Sequence, residues 1–202
     1  MFARFSVNLL TKNDRRCIIY LRLNNNIGEL KMKTNDLESR LLLLDEEANL
    51  LYEDSEKLYC IIVGGSALML LGYIDRATHD IDSIECHHKL LGLIEKYDIN
   101  MQVRAHLDCF PEDYADRIKK LDLPTKKIDY YTLSLEDLVI SKLLAGRSTD
   151  MFDIRSDEII RDLDFDKLDE LAEAIKPDLL NDRIKSEFEF SFTEYCNQHR
   201  KE

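Results

Sequence analysis

The chain has 202 residues, the length of one domain or of one domain with a small helical appendage. Its net charge of -12 argues against non-specific binding along extended nucleic acid, which needs a basic surface. Five scattered cysteines without a Cys-x-x-Cys pair, and no run near the ~20 apolar residues of a membrane span, predict a soluble cytoplasmic protein without a membrane partner.

Residues 1–31 differ in charge from the rest of the chain. They carry a net +4, against -16 for the remaining residues, and such a break indicates a boundary. Either Cys17–Leu23 forms a hairpin with Glu29–Lys33, or the whole segment is an extension that precedes the fold at Met32. The predicted organisation is therefore an N-terminal extension or hairpin (1–31), a core (32–133) and a helical C-terminal part (134–202).

A helix is predicted directly after Met32. Asn35 and Glu38 have the spacing of a capping box at its start. The acids in this segment, Asp45 among them, are interpreted as a solvated face. An apolar stripe repeats every three or four residues and should pack on the sheet: Leu37, Leu41, Leu44, Ala48 and Leu51.

The next segment combines a buried strand with a glycine turn. Ile61–Val63 is β-branched and apolar, as in a buried strand, and Gly64 and Gly65 follow at once. Paired glycines let the backbone turn tightly and bring its N–H groups close to a ligand, and a helix beginning at Ser66 would direct its positive end there. We interpret Gly64, Gly65 and Ser66 as a phosphate cradle, with an ordinary strand-to-helix turn as the alternative.

Two acids follow in the pattern Asp80-Ile81-Asp82. On a strand, residues two apart share a face, so both carboxylates would point the same way and could hold Mg²⁺ between protein and nucleotide. The alternative is that they cap a turn or form surface pairs. Arg76 and Thr78, just before them, are candidates to contact phosphate or base, or are plain loop residues.

A lysine in an apolar helix is the last feature. After a predicted strand over 127–133, Ser134 should cap a helix that ends at Gly146, and Lys142 lies within it. A buried ammonium needs an anion, which is either a phosphate or one of Asp150 and Asp153, unless the lysine snorkels to solvent. With the helices beyond 153, these elements predict an α+β fold: a short mixed sheet with packed helices, then a helical C-terminal part.

Together these motifs resemble the DNA polymerase beta-like nucleotidyltransferase superfamily. Its pattern is Gly and Gly or Ser, a spacer, then Asp-apolar-Asp, and here thirteen residues separate Ser66 from Asp80. The form of residues 64–68 is closest to the branch that holds the abortive-infection AbiE toxins. That branch also has a helix-borne lysine followed by Asp-x-x-Asp, and the resemblance implies functional roles for Lys142, Asp150 and Asp153.

The resemblance implies transfer of a nucleoside monophosphate from a Mg²⁺-bound nucleoside triphosphate to a hydroxyl of an RNA, such as a tRNA end, or of a protein. It also implies a toxin role in a toxin–antitoxin or phage-defence system, with an antitoxin as partner. Such enzymes usually have a third carboxylate, for which Asp129 and Asp108 are the candidates. Without it, the alternative is a non-catalytic module that binds a nucleotide or a protein.

Overall fold

The computed structural model of the chain describes residues 32–102, 110–179 and 181–200. The predicted α+β class is confirmed. The predictions for residues 1–31 lie outside the described residues, so the division into three parts stays a prediction.

The strands are β1 (Leu58–Ile62), β2 (Ile81–Cys86), β3 (Ile99–Asn100), β4 (Lys119–Lys120) and β5 (Ile128–Thr132). The α-helices are α1 (Thr34–Leu51), α2 (Gly64–Leu70), α3 (Leu135–Ala145), α4 (Ser148–Asp153), α5 (Asp157–Asp162), α6 (Phe165–Ile175) and α7 (Asp182–His199).

The five strands form one mixed sheet in the order β3-β2-β1-β5-β4. The central strand, β1, is apolar almost throughout; it runs parallel to β5 and antiparallel to β2. Its register with β2 shifts between Ile61 and Ile62, directly before the glycine turn. Such an irregularity re-aims the chain locally and is common beside functional sites.

Helix α1 buries four residues of its predicted apolar stripe, Leu37, Leu41, Leu44 and Ala48, but Leu51 at its C-terminal end is 56% exposed, so the stripe ends one turn earlier than predicted. The Tyr130 hydroxyl donates to the carbonyl of Leu41 at 2.8 Å. The solvated face predicted for its acids is wrong at Asp45, which is buried. The Asp45 carboxylate accepts the backbone N–H groups of residues 126–128 at 2.7–2.8 Å, where β5 begins. A buried carboxylate is tolerated because these donors replace its water.

The C-terminal part is helical, as predicted. The Ser134 hydroxyl accepts the N–H of Asp137 at 3.1 Å and caps α3, which ends at Gly146 with φ +61°. Helix α3 contacts α2, α4, α6 and α7, so it joins the helical part to the glycine turn. Among the helices described here, none is long and apolar enough to cross a membrane.

Candidate active site

The glycine turn brings the backbone into contact with an acid of the predicted pair. Helix α2 begins at Gly64, two residues earlier than predicted, and Gly64 has φ +67°. A Cβ at Gly64 would lie 3.0 Å from Oδ2 of Asp82. The first N–H groups of any helix have no acceptor within it, and here they belong to a turn that Asp82 touches. A ligand bound at the turn would therefore also face this carboxylate.

The neighbouring positions of the turn have different functions. A Cβ at Gly65 would lie 2.1 Å from Nη2 of Arg76, so the guanidinium occupies the space that a side chain would fill. Ser66 is buried, and its hydroxyl donates to the carbonyl of Val63 at 3.0 Å. The Ser66 side chain therefore points into the fold, and within the predicted phosphate cradle Ser66 can contribute only its backbone N–H.

Asp80 and Asp82 lie on the same side of the chain, as predicted, although Asp80 stands one residue before β2. The carboxamide nitrogen of Asn100 donates to Asp80 at 3.3 Å and approaches Asp82 at 3.5 Å. Asn100 is the partner of Asp82 in the parallel pairing of β2 with β3. Only this strand pairing identifies Asn100 as a site residue, because nothing in its local sequence distinguishes it.

The electrostatics of the acid pair are unfavourable in the absence of a cation. Burial, and after it the charge of Asp80, raises the pKa of Asp82 to about 6. The nearby charges of Arg147 and Lys142 act in the opposite direction. Half-buried carboxylates held side by side favour a bound cation, which offsets both desolvation and repulsion.

The donor set fits a magnesium ion. Asp80 and Asp82 provide carboxylate oxygens, the ligands that Mg²⁺ prefers. Asn100 presents its amide nitrogen to both acids, and its Oδ1 accepts the N–H of Gln102 at 2.8 Å, so Asn100 positions the acids. Within residues 32–102, 110–179 and 181–200, however, no group of three or more His, Cys, Asp or Glu side chains is placed to hold a metal. The protein would therefore supply a cation with two carboxylates from the described residues.

Asp129 does not act as a third carboxylate beside this pair. It lies opposite Tyr59 on β1, whereas the backbone carbonyl of Asp82 accepts the N–H of Val63, which follows the end of β1 and is four residues beyond Tyr59. Four residues of strand span roughly 13 Å. The Asp129 carboxylate instead pairs with Lys120 at 2.8 Å and Lys57 at 3.7 Å. Asp108 lies outside the described residues.

The downstream lysine and aspartates form a network of ion pairs. Lys142, only 3% exposed, donates to Asp150 and to Asp153 at 2.8 Å each. Arg76 holds Asp153 with two hydrogen bonds, of 2.8 and 3.0 Å, and Arg147 holds Asp150 at 2.5 Å. The sequence left phosphate, Asp150 and Asp153 as possible partners of Lys142, and in the structure both aspartates bind it.

The charges of Lys142, Arg147 and Asp150 act on Asp82, so this network lies near the acid pair and the two motif segments meet in space. Arg76 connects the segments directly, because its guanidinium covers Gly65 and binds Asp153. Thr78 holds the loop that leads to Asp80: its hydroxyl donates to the Asp80 carbonyl at 3.2 Å, and its backbone pairs with Met32. Through these contacts Arg76 and Thr78 hold the glycine turn, Asp153 and the loop before Asp80 in position.

Arg147 is a site residue that sequence reasoning missed. It follows the glycine at which α3 ends and lies three residues before Asp150, and its side chain is 73% exposed. Its charge acts on Asp82, which places it near the acid pair. An arginine at a helix boundary is too common in sequences to have indicated this role.

The comparisons with known proteins agree with the geometry. A family model described as a nucleotidyltransferase of unknown function (DUF6036) matches residues 39–200. The matched range includes the glycine turn, the acid pair and the ion-pair network. No curated protein and no solved structure matches the chain significantly.

Proposed function

Since the chain belongs to this family of nucleotidyltransferases of unknown function, we propose that it transfers a nucleoside monophosphate from a nucleoside triphosphate to an acceptor hydroxyl. One observation carries the proposal: Asp80 and Asp82 are brought together at Asn100, and Asp82 lies against the turn at Gly64. This arrangement combines a cation site with backbone N–H groups that can receive phosphate.

In the proposed reaction, the acceptor oxygen attacks the α-phosphorus, the bond to the β-phosphate oxygen breaks, and pyrophosphate leaves. Asp80 and Asp82 would hold a magnesium ion, which neutralises phosphate charge and polarises the reacting oxygens when it is bound. The N–H groups of the turn at Gly64 and Gly65 orient the phosphates. A carboxylate of the pair accepts the hydroxyl proton.

The acceptor we favour is an RNA end, such as that of a tRNA, or a protein hydroxyl. The net charge of -12 disfavours a long nucleic acid that would lie across the surface, so a compact acceptor is the better match. The resemblance to AbiE toxins motivates a toxin role in phage defence or a toxin–antitoxin pair, with an antitoxin protein as the partner. We propose that it acts in the cytoplasm.

A second candidate function rests on the position of Asp129. Because this acid pairs with two lysines away from the acid pair, the described part of the chain offers two carboxylates rather than three. A nucleotidyltransferase fold with an incomplete acid set can bind a nucleotide or a partner protein without transferring anything. The two candidate functions differ in whether the nucleotide is transferred to an acceptor or is only bound.

The decisive experiment offers α-labelled ATP, GTP, CTP and UTP, with Mg²⁺, to the purified protein together with tRNA or cell lysate. Label should appear on the acceptor, and chelation with EDTA should abolish its transfer. Asp80→Asn and Asp82→Asn should lose transfer and Mg²⁺-dependent binding of the triphosphate, measured by calorimetry, while they remain folded. If either variant binds the Mg²⁺–triphosphate as well as the wild type does, the metal site is assigned wrongly.

Asp129→Asn is the matched control, since it removes the same charge from the same sheet. It should retain transfer. Asp108→Asn tests the other sequence candidate: loss of transfer with normal folding would identify Asp108 as the third carboxylate. Triphosphate binding by the wild type without transfer to any acceptor would favour the non-catalytic module.

A further inference from the structure

The three cations of the ion-pair network, Arg76, Lys142 and Arg147, differ in how many of their nitrogens donate hydrogen bonds within the protein. Lys142 is buried, and its ammonium is shared between two aspartates. The Arg76 side chain is 32% exposed. Its Nε and Nη2 donate to Asp153, and its Nη1 donates to the carbonyl of Ala77. Every nitrogen of these two side chains therefore already donates to a protein acceptor.

Arg147 is different. Its side chain is 73% exposed, and its hydrogen bonds use Nε and Nη2, both on Asp150. For Nη1, the part of the chain that the structure describes shows no acceptor. One edge of the guanidinium is therefore fixed by a buried aspartate, while the other edge faces solvent with its donors available.

The net charge around Arg147 favours an anion. Three cations and two aspartates leave the network with one positive charge, and the charges of Asp80 and Asp82 are the ones that a divalent cation would balance. With that cation in place, the network retains its positive charge beside the glycine turn. A polyphosphate is the anion that can contact a cation at the acid pair and a guanidinium next to it.

We propose that Arg147 binds the β- and γ-phosphates of the nucleoside triphosphate, the group that leaves as pyrophosphate. This inference rests on the proposed function and names a residue that neither the family match nor the sequence motifs assign. The planar fork of arginine donates to two phosphate oxygens at once, a geometry that lysine lacks. Asp150 orients the fork, and Lys142 and Asp153 hold Asp150 and Arg76 in position behind it.

The test measures binding as a function of phosphate number. Calorimetry with Mg²⁺ compares AMP, ADP, ATP and inorganic pyrophosphate on the full chain, for the wild type and for Arg147→Met. The variant should lose affinity for ATP and pyrophosphate by about 10- to 100-fold, the range for a lost hydrogen bond to a charged group. Its affinity for AMP should stay within about 2-fold, because AMP lacks both phosphates.

Arg161→Met is the matched control. Arg161 is 68% exposed and also binds one neighbouring aspartate, Asp162, at 2.8 Å, but it lies in α5, outside the network. It should bind all four probes as the wild type does. Arg147→Lys should recover only part of the lost affinity, because lysine keeps the charge without the fork. Thermal melts of every variant check that folding is unchanged.

Three results would overturn the inference. If Arg147→Met weakens AMP as much as ATP, Arg147 merely positions Asp150; if it weakens none, or if no probe binds the wild type, Arg147 is not a phosphate ligand. Failure of the proposed function is a separate result. Phosphate-dependent binding without label transfer would retain the role of Arg147, whereas transfer with unchanged pyrophosphate affinity in Arg147→Met would reject that role alone.

Discussion

The carboxylate of Asp82 lies where a side chain at Gly64 would point, because a methyl group added at Gly64 would be 3.0 Å from Oδ2 of Asp82. Gly64 also has φ +67°, a conformation that residues with a Cβ adopt at a cost. The glycine thus serves two purposes, because it permits the turn and leaves room for the acid. The following substitution separates these purposes.

Gly64→Ala should both destabilise the protein and impair the site. The positive φ costs an alanine about 1–2 kcal/mol, and the added methyl group displaces Asp82, so binding of Mg²⁺–triphosphate should fall. Gly72→Ala is the matched control: Gly72 has φ +78°, and a Cβ there would meet nothing within 4 Å. Melting curves and calorimetry on both variants should show similar destabilisation but impaired binding only in Gly64→Ala. Equal binding in both would mean that Asp82 does not depend on this glycine.

The overlap between Gly65 and Arg76 predicts a coupling between two substitutions. Gly65→Ala places a methyl group where Nη2 of Arg76 lies and should push the guanidinium off Asp153. Arg76→Ala removes the obstructing group, so the two destabilisations should not add. Denaturant unfolding of both single variants and the double variant should give a coupling of about 1–3 kcal/mol. Additive effects would mean that the guanidinium relocates without losing its contact.

Lys142 is expected to act on stability through its two aspartates. Lys142→Met keeps the aliphatic stem but leaves Asp150 and Asp153 short of a buried partner, so the free energy of unfolding should fall by about 3–5 kcal/mol. Lys89→Met is the control, because Lys89 also binds two carboxylates, those of Asp54 and Glu56, but at the surface.

Lys89→Met should melt close to the wild-type temperature, since exposed ion pairs contribute little to stability. A Lys142→Met protein that melts normally yet loses triphosphate affinity would instead identify Lys142 as a phosphate ligand. Thermal melts and nucleotide titrations on the same preparations separate these outcomes.

Asp82 predicts a pH dependence with a defined sign. Its pKa is raised to about 6, so the folded protein without metal favours the protonated acid, and that contribution to stability is lost as the pH rises through 6. The neutral Asp82→Asn variant should therefore gain in melting temperature relative to the wild type between pH 5 and 7.5. A constant difference across this range would contradict the raised pKa.

Cation binding should follow the opposite trend from proton binding at this acid. Protons compete with the cation for Asp82, so affinity for Mg²⁺ should weaken by up to about tenfold for each pH unit below 6 and level off above it. Calorimetric titration of Mg²⁺ between pH 5 and 8 measures this. Saturating Mg²⁺ should also remove the pH trend in the melting temperature of the wild type, because the bound cation keeps the carboxylate ionised.

Local pattern in the sequence determined the fold class and most of the site. The strand before Gly64, the capped helix between Ser134 and Gly146, and the pair Asp80 and Asp82 follow from periodicity, turn chemistry and caps. These features depend on residues a few positions apart in the chain, so the sequence predicts them before the fold is known. The resemblance to a family pattern implied functional roles for Lys142, Asp150 and Asp153, and these roles stay predictions.

Only the tertiary structure decided which groups meet across long sequence separations. The pairing of β2 with β3 brings Asn100 to Asp82, and the register of β1 with β5 carries Asp129 away. Packing brings Arg147 close enough for its charge to act on Asp82, and burial gives Lys142 both aspartates as partners. Charged side chains have no periodicity that reveals their partners, because the energy of an ion pair depends on distance and burial, which arise only when the chain is folded.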